Sequence, residues 1–420
     1  MALMDRKRSA GLYGWYVLAL LTLINIMGSI DRAVISVIAE PLKAQFDLTD
    51  KDIGVLSGVS YSATYAIAVL PAGWLVDRRN RRNLVGISVA IWSGLTAICA
   101  IVPSYAMLVI TRLVVGAAEA PSNPGSMSLI ADIFPRERRN TAVSIYYAGL
   151  AIGQIALFLI GGWLLLHFTW RAVFLVAGAP SVVLAFLLLF TTREPVRGAF
   201  DDGGAASAAS AAKVGPWDVA RSLWANKPLL LTIPAITIAS GVPYAITVWS
   251  TSFFVRIHHM TVGQGVIWTG IGFGLCMAVG SFVVGPFADR ISHGDPRRVA
   301  IIPTVTTLVA IVAGCLMILA QSQPLAIVGL GVFAFMCGFF YATGYSIALM
   351  LAPADQRGTT MAAIRLISIF FGSGLIPFVT GALSDALGGP GSIRLALLLT
   401  ILLLIVPAAC YGWIYRRLKS

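Results

Sequence analysis

The sequence predicts an all-α integral membrane protein: twelve transmembrane helices in two pseudo-symmetric six-helix bundles. Composition, the length of the apolar runs and a loop motif that occurs twice carry that prediction. Of 420 residues, 58% are hydrophobic and 11% charged, and mean hydropathy is +0.86. Soluble domains carry roughly 25% charged residues and under about 50% apolar ones, so the solvent for most of this chain is hydrocarbon. The formal net charge of +12 fits the same frame. Nucleic-acid binding would need a solvated basic face, whereas membrane proteins collect Lys and Arg in cytoplasmic loops. No nucleic-acid partner is therefore expected.

Apolar runs of about 20 residues cross ~30 Å of hydrocarbon as helix. They fall at 14–38, 53–76, 84–103, 105–131, 141–167, 172–191, 229–255, 262–288, 299–320, 324–351, 360–387 and 393–415. Ahead of them, residues 1–11 form a short basic leader without the pattern of a cleaved signal peptide. Between the sixth and seventh runs lie Asp201-Asp202-Gly-Gly, an Ala/Ser tract and Pro216, the composition of a linker. The expected organisation is an N-terminal bundle at 1–192, a cytoplasmic linker at 193–228 and a C-terminal bundle at 229–420.

Charge placement sets the orientation. With the N-terminus inside, the inner loops and tails hold 22 Lys and Arg, the outer loops five (Lys43, Lys51, Arg171, Arg256, Arg394), and three lie within helices. Both termini are thus expected in the cytoplasm. The halves repeat as well. Gly73-Trp-Leu-Val-Asp77-Arg78-Arg79-Asn-Arg81-Arg82 is echoed 212 residues later by Gly285-Pro-Phe-Ala-Asp289-Arg290, with Arg297 and Arg298 as its basic tail. Pro135-Arg-Glu-Arg-Arg139 is echoed 218 residues later by Pro353-Ala-Asp-Gln-Arg357. Two motifs at nearly one offset argue for a duplicated six-helix unit.

The Gly-x-x-x-Asp-Arg-x-x-Arg-Arg loop resembles the signature loop of the major facilitator superfamily, and with it the major facilitator fold is expected. In the first half, Asp31-Arg32, Trp92-Ser93, Gly116-Ala-Ala-Glu119-Ala, Asp132-x-Phe-Pro135 and Thr192-Arg-Glu-Pro195 resemble the spinster family of lysolipid and sphingolipid transporters and their bacterial relatives. The glycine usual before the helix-four glutamate is Ala118 here. Organic-anion:cation symporters also place an Asp-Arg pair in helix one and an Arg and a Glu in helix four. The resemblance implies a transporter of a bacterial inner membrane, monomeric by default for this architecture, with the lipid bilayer, protons and an amphiphilic or anionic small molecule as partners.

A charge at mid-bilayer costs roughly 2.5–3.5 kcal/mol on the mildest scale, so deep charges need a reason. Of 18 acidic residues, Asp31 and Glu119 lie well inside predicted helices; Arg32 and Arg112 are the clearest deep cations. Arg112, Gly116, Glu119 and Asn123 share one helical stripe, as do Asn25, Ser29, Arg32 and Ser36. Asp31 is rotated about 100° from Arg32. Arg32 is expected to face the central cavity and hold an anionic head group, and Asp31 to meet Arg112. Desolvation and a neighbouring guanidinium push a carboxyl in opposite directions, so making and breaking such a contact would load and release a proton. Asp31, Glu119 and Arg112 are the proton-coupling candidates; Arg32, Glu119, Asn123, Tyr244 and Tyr341 are those for substrate. The bland alternative is that the four charges only pin helix one to helix four.

Asp77, Arg78, Arg81 and Arg82, with Asp289 and Arg290, are read as a conformational switch, their charges standing at interface depth where they cost little. The second half offers Tyr244, Thr247, Trp249, Ser252, Phe339, Phe340, Tyr341 and Tyr345 as an apolar, weakly polar wall, and Gly241-Val-Pro243 and Pro377 as kinks. Five cysteines sit in apolar runs and four histidines in predicted loops; no cofactor or metal site and no enzyme chemistry is expected. The absence of a nucleotide-binding loop disfavours an ATP-driven pump. The leading reading is a proton-coupled transporter of a lysolipid or sphingoid-like amphiphile working by alternating access. A symporter of small organic anions and a non-transporting membrane receptor are the alternatives.

Overall fold

The computed structural model describes residues 11–198, 224, 226–292, 300–353, 356–389 and 391–419. Among the described residues the helices are, in chain order, α1 (Gly11–Phe46), α2 (Asp50–Arg78), α3 (Arg81–Ile101), α4 (Tyr105–Glu119 and Ser122–Ile133), α5 (Arg136–His167) and α6 (Trp170–Thr191). There follow α7 (Lys227–His258), α8 (Val262–Ser292), α9 (Ile301–Leu319), α10 (Gln323–Leu351), α11 (Arg357–Leu387) and α12 (Ser392–Leu402 and Ile405–Lys419). Among the described residues eleven helices are long and apolar enough to cross a membrane. The twelfth, α4, is broken at Ala120–Pro121 into pieces of 15 and 12 residues. Pro121 has no N–H to give and clashes with a continuing turn, so the unbroken helix expected from the apolar run at 105–131 does not form.

Local chemistry sets the ends. Thr49 accepts from the Asp52 amide while Asp52 returns a bond to the Thr49 amide, a reciprocal cap that starts α2 at Asp50. Thr261 and Gln264 do the same for α8, and Ser104 and Asn80 cap α4 and α3. α1 runs eight residues past its expected end at 38 and carries Pro41 inside it. Prolines within membrane helices are tolerated where neighbours satisfy the freed carbonyls; Pro71, Pro180, Pro234, Pro243 and Pro286 are further cases. Gly241 and Pro243 lie in an unbroken α7. Near Pro377 the irregularity is a π-helical turn over Ser368–Leu375, just before the proline. α2 and α8 carry π turns at Val55–Val59 and Gly270–Leu275. His167 and His258 are the last residues of α5 and α7 rather than loop residues. His293, Asp201 and Asp202 lie outside the described residues, as does most of the expected linker.

The chain resolves into two compact units, residues 1–41 with 60–204 and residues 42–59 with 205–420. In the first, Val17, Leu21, Val85, Val89, Trp92, Val115, Phe134 and Tyr146 form one buried cluster. Trp15 meets the Phe134 ring edge-on at 5.1 Å. In the second, the α1–α2 turn over 42–59 packs with α7 and α11. There the buried Trp249 indole donates to the Pro377 carbonyl at 3.0 Å, which accounts for a carbonyl near a proline-bearing turn.

Candidate functional site

The first unit holds two ion pairs that share the Asp31-Arg32 dipeptide of α1. Arg112 on α4 reaches Asp31: its Nη1 lies 3.1 Å from both carboxylate oxygens, and its Nη2 donates to the Asp31 carbonyl at 3.2 Å. Thr96 on α3 donates a further hydrogen bond to Asp31 Oδ1 at 2.5 Å. Both charged side chains of this pair are 0% exposed. A carboxylate and a guanidinium removed from water this completely persist only when several hydrogen bonds accompany the pairing, and three elements supply them.

The second pair joins Arg32 Nη1 to Glu119 Oε1, with the Tyr61 hydroxyl of α2 donating to Glu119 Oε2 at 2.7 Å. Here the exposures differ: 31% for the arginine side chain and 5% for the glutamate. Of these four side chains Arg32 thus has the largest exposed surface. The partners on α1 are adjacent, yet Arg112 and Glu119 stand about 10 Å apart along α4; the two long arginine stems take up the difference. Close helix approach makes this possible. A Cβ on Gly116, between Arg112 and Glu119, would strike the Tyr61 carbonyl and Thr64 Oγ1. One on Gly28, a turn before Arg32, would stand 3.0 Å from Glu119 Oε1.

The remaining stripe residues do other things. Asn25 donates to the Tyr146 carbonyl at 2.7 Å and Ser29 to that of Leu150 at 2.8 Å, both on α5. Ser36 bonds back to Ala33 in its own helix. Asn25, Ser29 and Ser36 are buried, so the α1 stripe is a helix-packing seam except at Arg32. Asn123 is half-buried beyond the α4 break; the continuous stripe that joined it to Glu119 assumed an unbroken helix.

In the α2–α3 loop Arg81 is covered by protein, 1% exposed. It pairs with Asp132 and, at 2.7 Å, with Glu194, and donates to Ser128 Oγ at 2.9 Å and the Pro195 carbonyl at 3.1 Å. Two carboxylates from different segments converge on it, which is why the charge can be buried. Arg82 donates through its backbone to Glu194 and through its side chain to the Thr192 carbonyl, both at 2.8 Å. Asp77 and Arg78 are exposed; Arg78 lies 4.2 Å over the Trp74 ring. The Asp77 carbonyl joins those of Val76 and Arg79 in accepting from Arg197, which places a cation at the C-terminal dipole of α2. In the echoed loop Arg290 is exposed, while the Asp289 side chain, Arg297 and Arg298 lie outside the described residues.

In the second unit Tyr244 is half-buried and donates to the Ser57 carbonyl at 3.1 Å; the Tyr341 side chain lies outside the described residues. Thr247, Trp249, Ser252 and Phe340 are packed in the interior rather than presented on a wall, whereas Tyr345 is half-buried. Charge gathers instead at Asp50. Arg256 approaches it at 2.7 and 2.8 Å, Ser384 donates at 2.7 Å and Lys43 pairs with it. Asp385 caps the same helix start, accepting from the Asp50 and Lys51 amides at 3.0 and 2.7 Å. Among the described residues no group of three or more His, Cys, Asp or Glu is placed to hold a metal ion.

The model of the Major Facilitator Superfamily matches residues 21–302 and 263–419. The chain belongs to this superfamily. It is a membrane transporter, and its relatives include spinster-like and sugar-acid transporters. An "MFS-type efflux pump" of Mycolicibacterium smegmatis is 29% identical over 96% of this chain and 94% of its own. A "probable galactarate/D-glucarate transporter" of Bacillus subtilis is 24% identical over 94% of this chain and 92% of its own. The crystal structure of a bacterial homolog to the human lysosomal transporter spinster, inward-facing and unoccupied, superposes with TM-score 0.87 at 27% identity. It covers 97% of this chain and 98% of that one.

Sequence reasoning missed Tyr61, Thr96, Asp50 and Arg197. Tyr61 had a signal: with Ser57 and Tyr65 it stands at i, i+4 spacing on α2, a polar-tipped stripe within an apolar run. Asp50 had another, the Thr49–Asp52 capping pattern, which moves it from loop to helix.

Proposed function

We propose that this chain is a proton-coupled secondary transporter moving a single-chain amphiphile of the lysolipid or sphingoid class. It works by alternating access of its six-helix bundles, residues 1–192 and 229–420, joined by the linker at 193–228. It acts as a monomer in a bacterial inner membrane with both termini in the cytoplasm. The observation that carries the reading is the unequal exposure of two linked ion pairs: Asp31–Arg112 fully buried, Arg32–Glu119 with the arginine side chain 31% exposed. The buried pair suits proton loading, since separating the partners strips a carboxylate of its counter-charge. The open pair suits substrate: Arg32 cannot deprotonate and presents a planar fork to an anionic head group, and Glu119 exchanges it for a proton. Similarity to the spinster homolog supports the class. In this reading the Arg81 and Arg197 contacts around Asp77, Arg78 and Arg82, and their counterparts at Asp289 and Arg290, are the switch.

A small dicarboxylate substrate is the second reading, favoured by the likeness to a probable galactarate/D-glucarate transporter. The test is uptake into proteoliposomes of a lysophospholipid bearing a nitrobenzoxadiazole fluorophore, under an imposed pH gradient, with D-glucarate as competitor. Gradient-stimulated lysolipid movement that glucarate does not inhibit is the expected result. Glucarate uptake with no lysolipid movement would establish the second reading instead.

A further inference from the structure

One side chain touches both ion pairs. Tyr61 donates its hydroxyl to Glu119 at 2.7 Å, and its ring lies 5.6 Å beneath the Arg112 guanidinium carbon. A guanidinium within about 6 Å of an aromatic face is held by the ring quadrupole, so the ring is a second partner for the cation that pairs with Asp31. Tyr61 is 8% exposed. Its position is fixed from two sides: the Tyr65 ring stacks on it at 5.7 Å, and Gly116 brings α4 against its backbone. The charged and titratable groups facing it and Glu119 are Asp31 and Arg32 on α1, Tyr65 on α2 and Arg112 on α4.

We propose that Tyr61 is a positioning residue that binds the two ion pairs into one cooperative unit, its hydroxyl reading Glu119 and its ring reading Arg112. When Glu119 gives up or takes a partner the phenol shifts, and with it the face offered to Arg112; when Arg112 leaves Asp31 the ring is released and the hydroxyl's aim at Glu119 changes. Substrate at the open pair and proton at the closed pair are thereby linked through a rigid side chain, in addition to the Asp31-Arg32 peptide they share. This rests on the proton-coupled reading for its meaning, though not for its geometry.

A double-mutant cycle apportions such a network. Thermal unfolding of the detergent-solubilised protein is measured for Asp31→Asn, Glu119→Gln and the pair, in Tyr61, Tyr61→Phe and Tyr61→Leu backgrounds. Phenylalanine keeps the ring and loses the hydroxyl; leucine loses both. The two carboxyl substitutions are expected to be strongly non-additive with Tyr61 present and markedly closer to additive in both altered backgrounds. Non-additivity of unchanged size in the phenylalanine and leucine backgrounds overturns the proposal and assigns the coupling to the α1 backbone. A second readout separates positioning from packing. Uptake of the labelled lysophospholipid against external pH should show two separated apparent pKa values with Tyr61, because interacting sites titrate in macroscopic steps that belong to the pair. With Tyr61→Phe, folded and monodisperse, the two should draw together; an unaltered separation counts against the proposal. If the parent protein shows no gradient-driven uptake, the proton reading fails while the thermal cycle still decides the bridge.

Discussion

The two units differ in where their buried polar groups find partners, charge pairs crossing helices in the first and hydroxyls staying within helices in much of the second. In the first, they cross between helices: Asn25 and Ser29 tie α1 to α5, Thr96 and Arg112 tie α3 and α4 to Asp31, and Tyr61 ties α2 to Glu119. In the second, most buried hydroxyls turn back on their own helix. Thr232, Thr247, Ser250, Thr306, Thr343 and Thr400 each donate to a carbonyl three or four residues earlier. A hydroxyl satisfied within its own helix makes no demand on where the neighbouring helix stands. A charge satisfied across helices does, because displacement leaves it bare in low dielectric. In the first unit, ionic state and helix position are therefore tied to one another by the contacts themselves. In the second, the buried carboxylate among the described residues, Asp50, stands at the α1–α2 turn.

The sharpest way to break this contrast is to remove one partner of the most buried pair. Asp31→Leu leaves Arg112 without its counter-charge and should cost about 3–5 kcal/mol, seen as a collapse of the thermal midpoint in detergent. The double variant Asp31→Leu/Arg112→Leu should recover much of that loss, since a well-packed apolar pair replaces a charge pair at little cost. Next is Arg81→Met, which leaves Asp132 and Glu194 facing each other. With Glu194 23% exposed, solvent screening trims the expected destabilisation to about 2–3 kcal/mol, and low salt should deepen it. Asp50→Asn should cost about 1–2 kcal/mol, because its hydrogen bonds are charge-assisted but Lys43 and Arg256 remain partly solvated. Smallest is Thr343→Val: its hydroxyl only doubles a helical carbonyl's bonding, so the change should stay within about 0.5 kcal/mol. A loss as large as that of Asp50→Asn would show that the second unit is also wired across its helices.

These differences were unevenly legible in the sequence. Length and apolarity place the helices because hydrocarbon demands an internally bonded span. Asp31, Arg32, Arg112 and Glu119 stand out because each charge in such a span is costly. Periodicity turned Asp31 away from Arg32 on a continuous helix, and Asp31 does meet Arg112; it failed where the helix breaks, between Glu119 and Asn123 across Pro121. It also could not tell a seam from a wall: Asn25 and Ser29 share the Arg32 face, but α5 covers them. Arg81 read as a surface charge because the carboxylates that let it bury, Asp132 and Glu194, lie 51 and 113 residues away in the chain. Tyr61 was hidden for a different reason, since an aromatic in an apolar helix is ordinarily packing.

The central claim is that coupling resides in the first unit. Gradient-driven uptake of the labelled lysophospholipid, compared across Asp31→Asn, Glu119→Gln and Asp50→Asn in matched proteoliposomes, tests it most directly. The expected result is that the first two variants lose their response to the pH gradient while Asp50→Asn keeps it. A full response in both first-unit variants, or its loss in Asp50→Asn alone, would contradict the account.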